Sequence, residues 1–176
     1  TILLIKARMI LYEQALKRGV NLFNTSDCVS HNQWEIFFKE QKLYENLKGI
    51  QGFGYCEVVL PDNKEEHEQR IKKEGFNDYK IYPQGQRELY TSIIYFEPFD
   101  EANKKTFGYD MFSEKIRHEA MKVAMQTGKA TLSAKITLLE EFDKEIEPAF
   151  FMYVPVYEKS SQHNRERSKI CVNRVK

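Results

Sequence analysis

The chain has 176 residues, 41% apolar and 30% charged, enough to bury a sizeable core as one large domain or as two small ones sharing a sheet. Its 27 Lys and Arg nearly balance its 26 Asp and Glu, for a net charge of +1. No broad positive field exists to attract a polyanion, so nucleic acid is not an expected partner; only the stretch from Arg165 to Lys176 is locally basic. Cys28, Cys56 and Cys171 are far apart, odd in number and without zinc-ligand spacing, so they read as buried or half-buried thiols, with no metal and no disulfide framework. No run reaches the ~18 apolar residues of a membrane-spanning helix, TILLI at residues 1–5 being followed by Lys6 and Arg8. No signal peptide is visible either, so the chain is expected to behave as a soluble piece.

In chain order, Ile2, Leu3, Ile5, Met9, Ile10, Leu16, Val20 and Phe23 predict one long amphipathic helix over 2–23. Its apolar stripe must find a partner in the rest of the domain or in a second copy. Ser30 and Gln33 form a capping-box pair before Trp34, Phe37, Phe38 and Leu43. GIQGFGYCEVVLPDN predicts a strand over 52–60 that ends at Pro-Asp-Asn. In it, Gly52 and Gly54 permit close packing and do not cradle a phosphate, since no helix follows. KEEHEQRIKKEGF is a short charged helix, read as solvated, with Gly75 just beyond its end.

YKIYP and RELYTSIIYFEP predict two strands parted by Gln84-Gly85. A helix capped by Ser113 runs to Gly128, with Ile116, Ala120, Val123 and Ala124 on one face and His118 toward solvent. Leu132, Ala134, Ile136 and Leu138 then alternate with polar residues as a half-buried strand should. AFFMYVPVY is the last clear strand, and its Pro155 requires an edge or a bulge. Because turns join the strands, the fold class is α+β, with an antiparallel sheet and helices on one side.

No nucleophile, phosphate-loop or metalloprotease motif is present, so no catalytic residue is assigned. The carboxylates Glu140, Glu141, Glu145 and Glu147 read as an exposed charged hairpin and not an acid–base pair. More informative are the polar and aromatic residues on neighbouring strands: Tyr90, Ser92, Tyr95, Glu97, Thr131, Ser133, Thr137, Met152 and Tyr153. Buried unpartnered groups of this kind cost up to a few kcal/mol each, so a cluster needs a reason. Two readings remain open: a small polar ligand held in a cleft, or a sheet face that is simply wet.

The same residues carry a family resemblance. GIQGFGYCEVVLP, then YPQGQRELYTSIIYFEPFDEANKKTFGYDM, EAMKVAMQTGKATLSAKITLLEE and FFMYVPVY are similar, in this order, to the CHASE domain. That domain is the extracytoplasmic sensor of receptor histidine kinases and diguanylate cyclases. The resemblance implies a stalk helix at 1–26 and a sensor domain at 27–176 made of two PAS-like antiparallel-sheet subdomains. The distal one covers about 76–157, and the proximal one about 49–75 with 158–176. It also implies flanking transmembrane helices in the full-length receptor, dimerisation through the stalk, no enzymatic activity and no cofactor.

Carried over by position, Glu88 and Ser133 match the acidic and hydroxyl residues that hold an adenine-type cytokinin in plant members. Gly108-Tyr109-Asp110 would cover the pocket. Together with the sheet residues, this gives Glu88, Tyr90, Tyr95, Glu97, Tyr109, Asp110, Thr131, Ser133 and Tyr153 as candidate ligand contacts. Tyr90, Tyr95 and Phe96 depart from the plant pattern, and FEPFDEAN resembles bacterial members, so the ligand is left unidentified. The rival readings are a protein-interaction or dimerisation module without ligand, and a hydrolase using Glu97 or Asp110.

Overall fold

A computed structural model describes residues 2–47, 49–137, 148–157 and 168–175. Expectations resting on Leu138, on the carboxylates between Glu140 and Glu147, on His163 and on residues 158–167 lie outside them, as do the side chains of Thr137 and Cys171. Helix α1 (Ile2–Thr25) is followed by α2 (His31–Gln41), the single turn α3 (Leu43–Asn46) and strand β1 (Ile50–Val59). Next come α4 (Lys64–Lys73), β2 (Tyr90–Glu97), the short α5 (Glu101–Lys104) and α6 (Lys115–Thr127). The two-residue strands β3 (Thr131–Leu132) and β4 (Ile136–Thr137) precede β5 (Pro148–Tyr157) and β6 (Ser168–Val175).

The local signals act where the chain places them. Ser30 Oγ accepts from the Gln33 N–H while the Ser30 N–H donates to Gln33 Oε1, so the capping box at α2 is complete. Gly75 and Gly128 follow α4 and α6 with φ of 106° and 72°, the left-handed region that ends a helix without a Cβ clash. α6 starts later than expected. Ser113 belongs to a 3-10 turn, and the cap is Glu114, whose carboxylate accepts from the Ile116 and Arg117 N–H groups. Residues 79–82 do not form a strand; Tyr82 makes only an isolated bridge with Tyr109.

The sheet runs β2-β1-β6-β5-β3, with β4 also paired to β5, and every described pair of strands is antiparallel. β1 and β6, assigned from sequence to a proximal half, thus lie between β2 and β5 of the distal half, and the two halves share one sheet. β3 pairs with β5 only at Met152 and Tyr153, which spares Pro155 from a ladder on that side.

Helices cover both faces of the sheet, not one. On one face Trp34, Phe38, Tyr12 and Leu16 pack with Phe53, Tyr55, Met152, Val154 and Val156. On the other, Ala120, Met121 and Ala124 of α6 pack with Cys56, Ile93, Phe151 and Tyr153. The reason lies in β5, where Phe151 to Val156 is buried without a break, the pattern of a strand enclosed on both sides. A register shift between Tyr55 and Cys56, opposite Tyr95 and Ile93, puts Ile94 and Tyr95 in the same core and turns Phe96 to the opposite one. Phe96 lies over the two glycines, its ring carbons 2.3 Å from where a Cβ on Gly52 would stand.

The alternation expected across residues 132–138 breaks. Leu132 is 43% exposed while Ser133 and Ile136 are buried, because three residues without strand geometry separate β3 from β4 and reset the facing. Val123 is likewise exposed, and Arg117 takes a place on the buried face of α6.

Candidate functional site

All seven residues from Tyr90 to Phe96 are buried, which removes the wet-face reading for β2. Its polar groups are instead partnered inside the fold. Tyr90 donates to the Gly85 carbonyl at 2.8 Å, and Tyr95 donates to the Val29 carbonyl at 2.5 Å on the α1–α2 face. Burial pushes the Tyr95 phenol well above its ordinary value. The Ser92 hydroxyl lies 2.7 Å from the Tyr79 hydroxyl, which is itself 2.7 Å from His67 Nε2. His67 is therefore buried, contrary to the solvated reading of its helix, and Glu57 and Arg70 stand at its other nitrogen at 3.4 and 3.2 Å. The Glu57–His67–Tyr79–Ser92 chain presents no nucleophile, since Tyr79 intervenes and Ser92 is 0% exposed.

The α6 face of the sheet carries the denser polar cluster. Gly108 reaches it at φ 88°, where a Cβ would meet the Lys80 carbonyl oxygen at 2.4 Å. Its N–H donates to the Ile93 carbonyl, the Ile93 N–H donates to the Tyr109 carbonyl, and the Asp110 N–H donates to the Tyr82 carbonyl. The Gly108–Asp110 segment is thereby built into the edge of the sheet beside β2. Asp110 is wholly buried. Its Oδ1 accepts from the Thr91 and Phe112 N–H groups at 2.8 and 3.1 Å, and its Oδ2 faces Arg87 Nε at 3.3 Å.

Beside this pair lies Arg117, 9% exposed, with its guanidinium carbon 5.1 Å from the Tyr109 ring and 5.0 Å from the Phe151 ring. Among the described residues its Nε has no hydrogen-bond acceptor, and the fully buried Tyr153 hydroxyl has no partner either. Burial raises the Tyr153 phenol well above the ordinary range, with the Arg117 charge pulling the other way. Ser133 follows β3: its hydroxyl donates to the Ala134 carbonyl and accepts from the Phe151 N–H at 2.9 Å.

The nine sequence candidates do not form one pocket. Tyr109 and Tyr153 pack on the α6 face, with Ser133 hydrogen-bonded to the neighbouring Phe151 and Thr131 paired with Tyr153 in the ladder, while Asp110 sits at the outer edge of β2 with Thr91 and Arg87. Tyr95 is on the opposite face, and Tyr90 sits in a small cluster with Val59 and Ile81. Glu97 is at the end of β2, raised by burial and partly held down by the Phe99 N–H it accepts. Glu88 is exposed and lines an open groove of about 810 Å³ with Arg87, Phe112, His118 and Lys122. His118 stacks on Phe112 in this groove, 4.3 Å between centroids, and is half-buried rather than free in solvent.

Residue reasoning missed Arg87, Thr91 and Arg117. Arg117 had a legible signal: 117, 120, 121 and 124 share one helical stripe, so a cation on it is out of place. Across the sheet, a second cavity of about 380 Å³ lies between the end of α1 and Tyr55, Glu57, Arg70 and Tyr95. Among the described residues no group of three or more His, Cys, Asp or Glu is placed to hold a metal ion, and no helix is long and apolar enough to cross a membrane.

The family model of the CHASE domain matches residues 27–171. The chain belongs to the CHASE family. CHASE domains are extracellular sensory modules of signalling receptors, not catalytic ones, and the match begins at the α1–α2 turn. No curated protein matches the chain.

Proposed function

We propose that this CHASE domain is the extracytoplasmic sensor of a transmembrane receptor and binds a small molecule on the α6 face of its sheet. The observation that carries the reading is the buried polar cluster there. Among the described residues Arg117 Nε and the Tyr153 hydroxyl are both without partners, whereas Thr91, Ser92 and Tyr95 on β2 are all bonded. Unpartnered buried donors are costly, and a bound molecule is an economical reason to keep them. The binding half is residues 76–157, which carry Asp110, Arg117 and Tyr153, while β1 and β6 complete the sheet.

Ligand binding favours one arrangement of α6 against the sheet, and α1, packed on the opposite face, passes the shift toward a cytoplasmic histidine kinase or diguanylate cyclase beyond flanking transmembrane helices. The first half of α1 serves as a stalk that meets a second copy. Support comes from Leu3 and Leu4, 81% and 75% exposed, whereas Tyr12, Ala15, Leu16 and Gly19 in the second half are buried on the domain itself.

A thermal-shift panel of purines, amino acids and short organic acids tests the first claim, followed by hydrogen exchange with any stabilising compound. Slowed exchange in α6 and β5 is expected. Protection confined to the cavity around Phe23 and Tyr95, or no stabilising compound at all, refutes the site. Sedimentation of the chain and of a Leu4→Glu, Leu11→Glu variant tests the stalk, and two identical monomers exclude it as a dimerisation device. In that event the interaction-module reading also loses its surface.

A further inference from the structure

We propose that Arg117 and Tyr153 form a subsite for the carboxylate of a small organic acid, an inference that rests on the ligand-binding reading above and names the class of ligand. Arg117 is the third residue of α6, so its buried cation stands in the first turn, the end of the helix dipole that repels positive charge. A nine-tenths buried guanidinium there is destabilising unless an anion meets it. Among the described residues no carboxylate comes within ion-pair distance. Of the carboxylates near it in sequence, Glu119 is exposed and stands 4.0 Å from Lys115, Glu114 accepts from the Ile116 and Arg117 backbone N–H groups, and Asp110 accepts from Thr91 and Phe112 and faces Arg87.

What Arg117 and Tyr153 lack is an acceptor of their own, since Asp110 Oδ2, itself without a hydrogen bond, faces Arg87 at 3.3 Å. Arg117 Nε–H and the Tyr153 O–H are both donors without a partner among the described residues. The Tyr109 and Phe151 rings pack against the guanidinium at 5.1 and 5.0 Å, which leaves its N–H edge for recognition. A planar two-oxygen anion matches that edge, accepting two parallel hydrogen bonds from the guanidinium or one from it and one from the phenol. A neutral heterocycle can accept the hydrogen bonds but leaves the buried charge uncompensated. The surrounding face is apolar, with Ile93, Met121 and Phe151, so the acid's remaining atoms meet hydrocarbon rather than further polar groups.

The test uses acetate, the smallest carboxylate, against its neutral isostere acetamide, with chloride holding ionic strength constant. Acetate is expected to raise the melting temperature of the chain saturably, and acetamide to leave it unchanged. Arg117→Gln should weaken acetate binding about tenfold to a hundredfold, and Tyr153→Phe about twofold to tenfold, as charged and neutral hydrogen bonds lost in turn. Tyr153→Phe removes a hydroxyl that bonds to none of the described residues, so it folds, and it keeps the test decisive where Arg117→Gln does not fold. Acetate acting no more strongly than chloride, or equally on wild type and Tyr153→Phe, overturns the assignment. So does inorganic phosphate binding more tightly than acetate. Adenine stabilising the chain while acetate does not overturns the carboxylate class alone and leaves the ligand-binding reading standing.

Discussion

Replacing Asp110 with alanine removes the acceptor around which the α6 face is organised. In the native chain one oxygen takes the Thr91 and Phe112 N–H groups at 2.8 and 3.1 Å while the other faces Arg87 at 3.3 Å, and the residue has no exposure at all. Alanine leaves the Thr91 N–H unbonded in the interior, while the Phe112 N–H keeps its 3.0 Å bond to Thr91 Oγ1, and it deprives the guanidinium of its anion. Removing one partner of a buried pair costs about 3–5 kcal/mol. The Arg87 side chain is 22% exposed and regains part of its hydration, which places the cost near the lower bound, about 3 kcal/mol. For a domain of this size each kcal/mol lowers the melting temperature by about 2–4 °C, so a fall of about 6–12 °C is expected.

Asp110→Asn separates the two contributions. Its side-chain oxygen still accepts from both N–H groups and only the charge is lost, so it should cost about 1–2 kcal/mol. Urea unfolding followed by circular dichroism, with m-values compared across the three proteins, measures both differences. The reasoning is refuted by an alanine variant within about 1 kcal/mol of wild type, below the smallest loss expected for unbonded buried donors. An asparagine variant as unstable as alanine refutes it too, since the ion pair and not the backbone acceptor would then dominate.

Three further outcomes follow from the packing and the caps. A Cβ on Gly54 stands 2.8 Å from the Tyr95 carbonyl oxygen as well as 2.5 Å from the Phe96 ring, whereas one on Gly52 meets only that ring. Both alanine variants should lose about 1–3 kcal/mol, and adding Phe96→Leu should relieve Gly52→Ala more than Gly54→Ala; equal relief in denaturant titrations contradicts the backbone clash. Ser30→Ala breaks the α2 capping box at about 1 kcal/mol while Ser30→Asp retains most of the stability, and thermal melts that rank them the other way count against the cap. Burial works to raise the Glu57 carboxyl, but the His67 hydrogen bond and the charges of His67 and Arg70 outweigh it and hold the group below its ordinary value. The unfolded chain therefore binds that proton more tightly than the folded one. The stabilisation is complete above the usual carboxylate range and disappears as the pH falls through the lower native value. Glu57→Gln should flatten the acid limb of a stability–pH curve, and an unchanged limb argues against the contribution.

The sequence by itself determined what depends on near neighbours. The capping box at Ser30, the glycines that end α4 and α6 and the β1 glycines that admit a ring are each set within a few residues, and each acts where the pattern put it. Of the α1 stripe, by contrast, only Leu16 is fully buried, and Ile2, Leu3, Ile5 and Ile10 are exposed. The family was legible for the same reason, since its motifs are short and ordered along the chain, and residues 27–171 carry them.

Tertiary structure decided what depends on partners far along the chain. Arg117 reads as surface charge between Ile116 and His118 until β5 brings Phe151 and Tyr153 against it. Tyr95 and Ser133 read as ligand contacts until the Val29 carbonyl and the Phe151 N–H satisfy their hydroxyls. The shared sheet follows from β6 returning between β1 and β5, a placement no local periodicity encodes. Side-chain period tells which residues share a face of a strand. Whether that face is dry, and whether its polar groups have partners, is fixed only when the helices close over both sides.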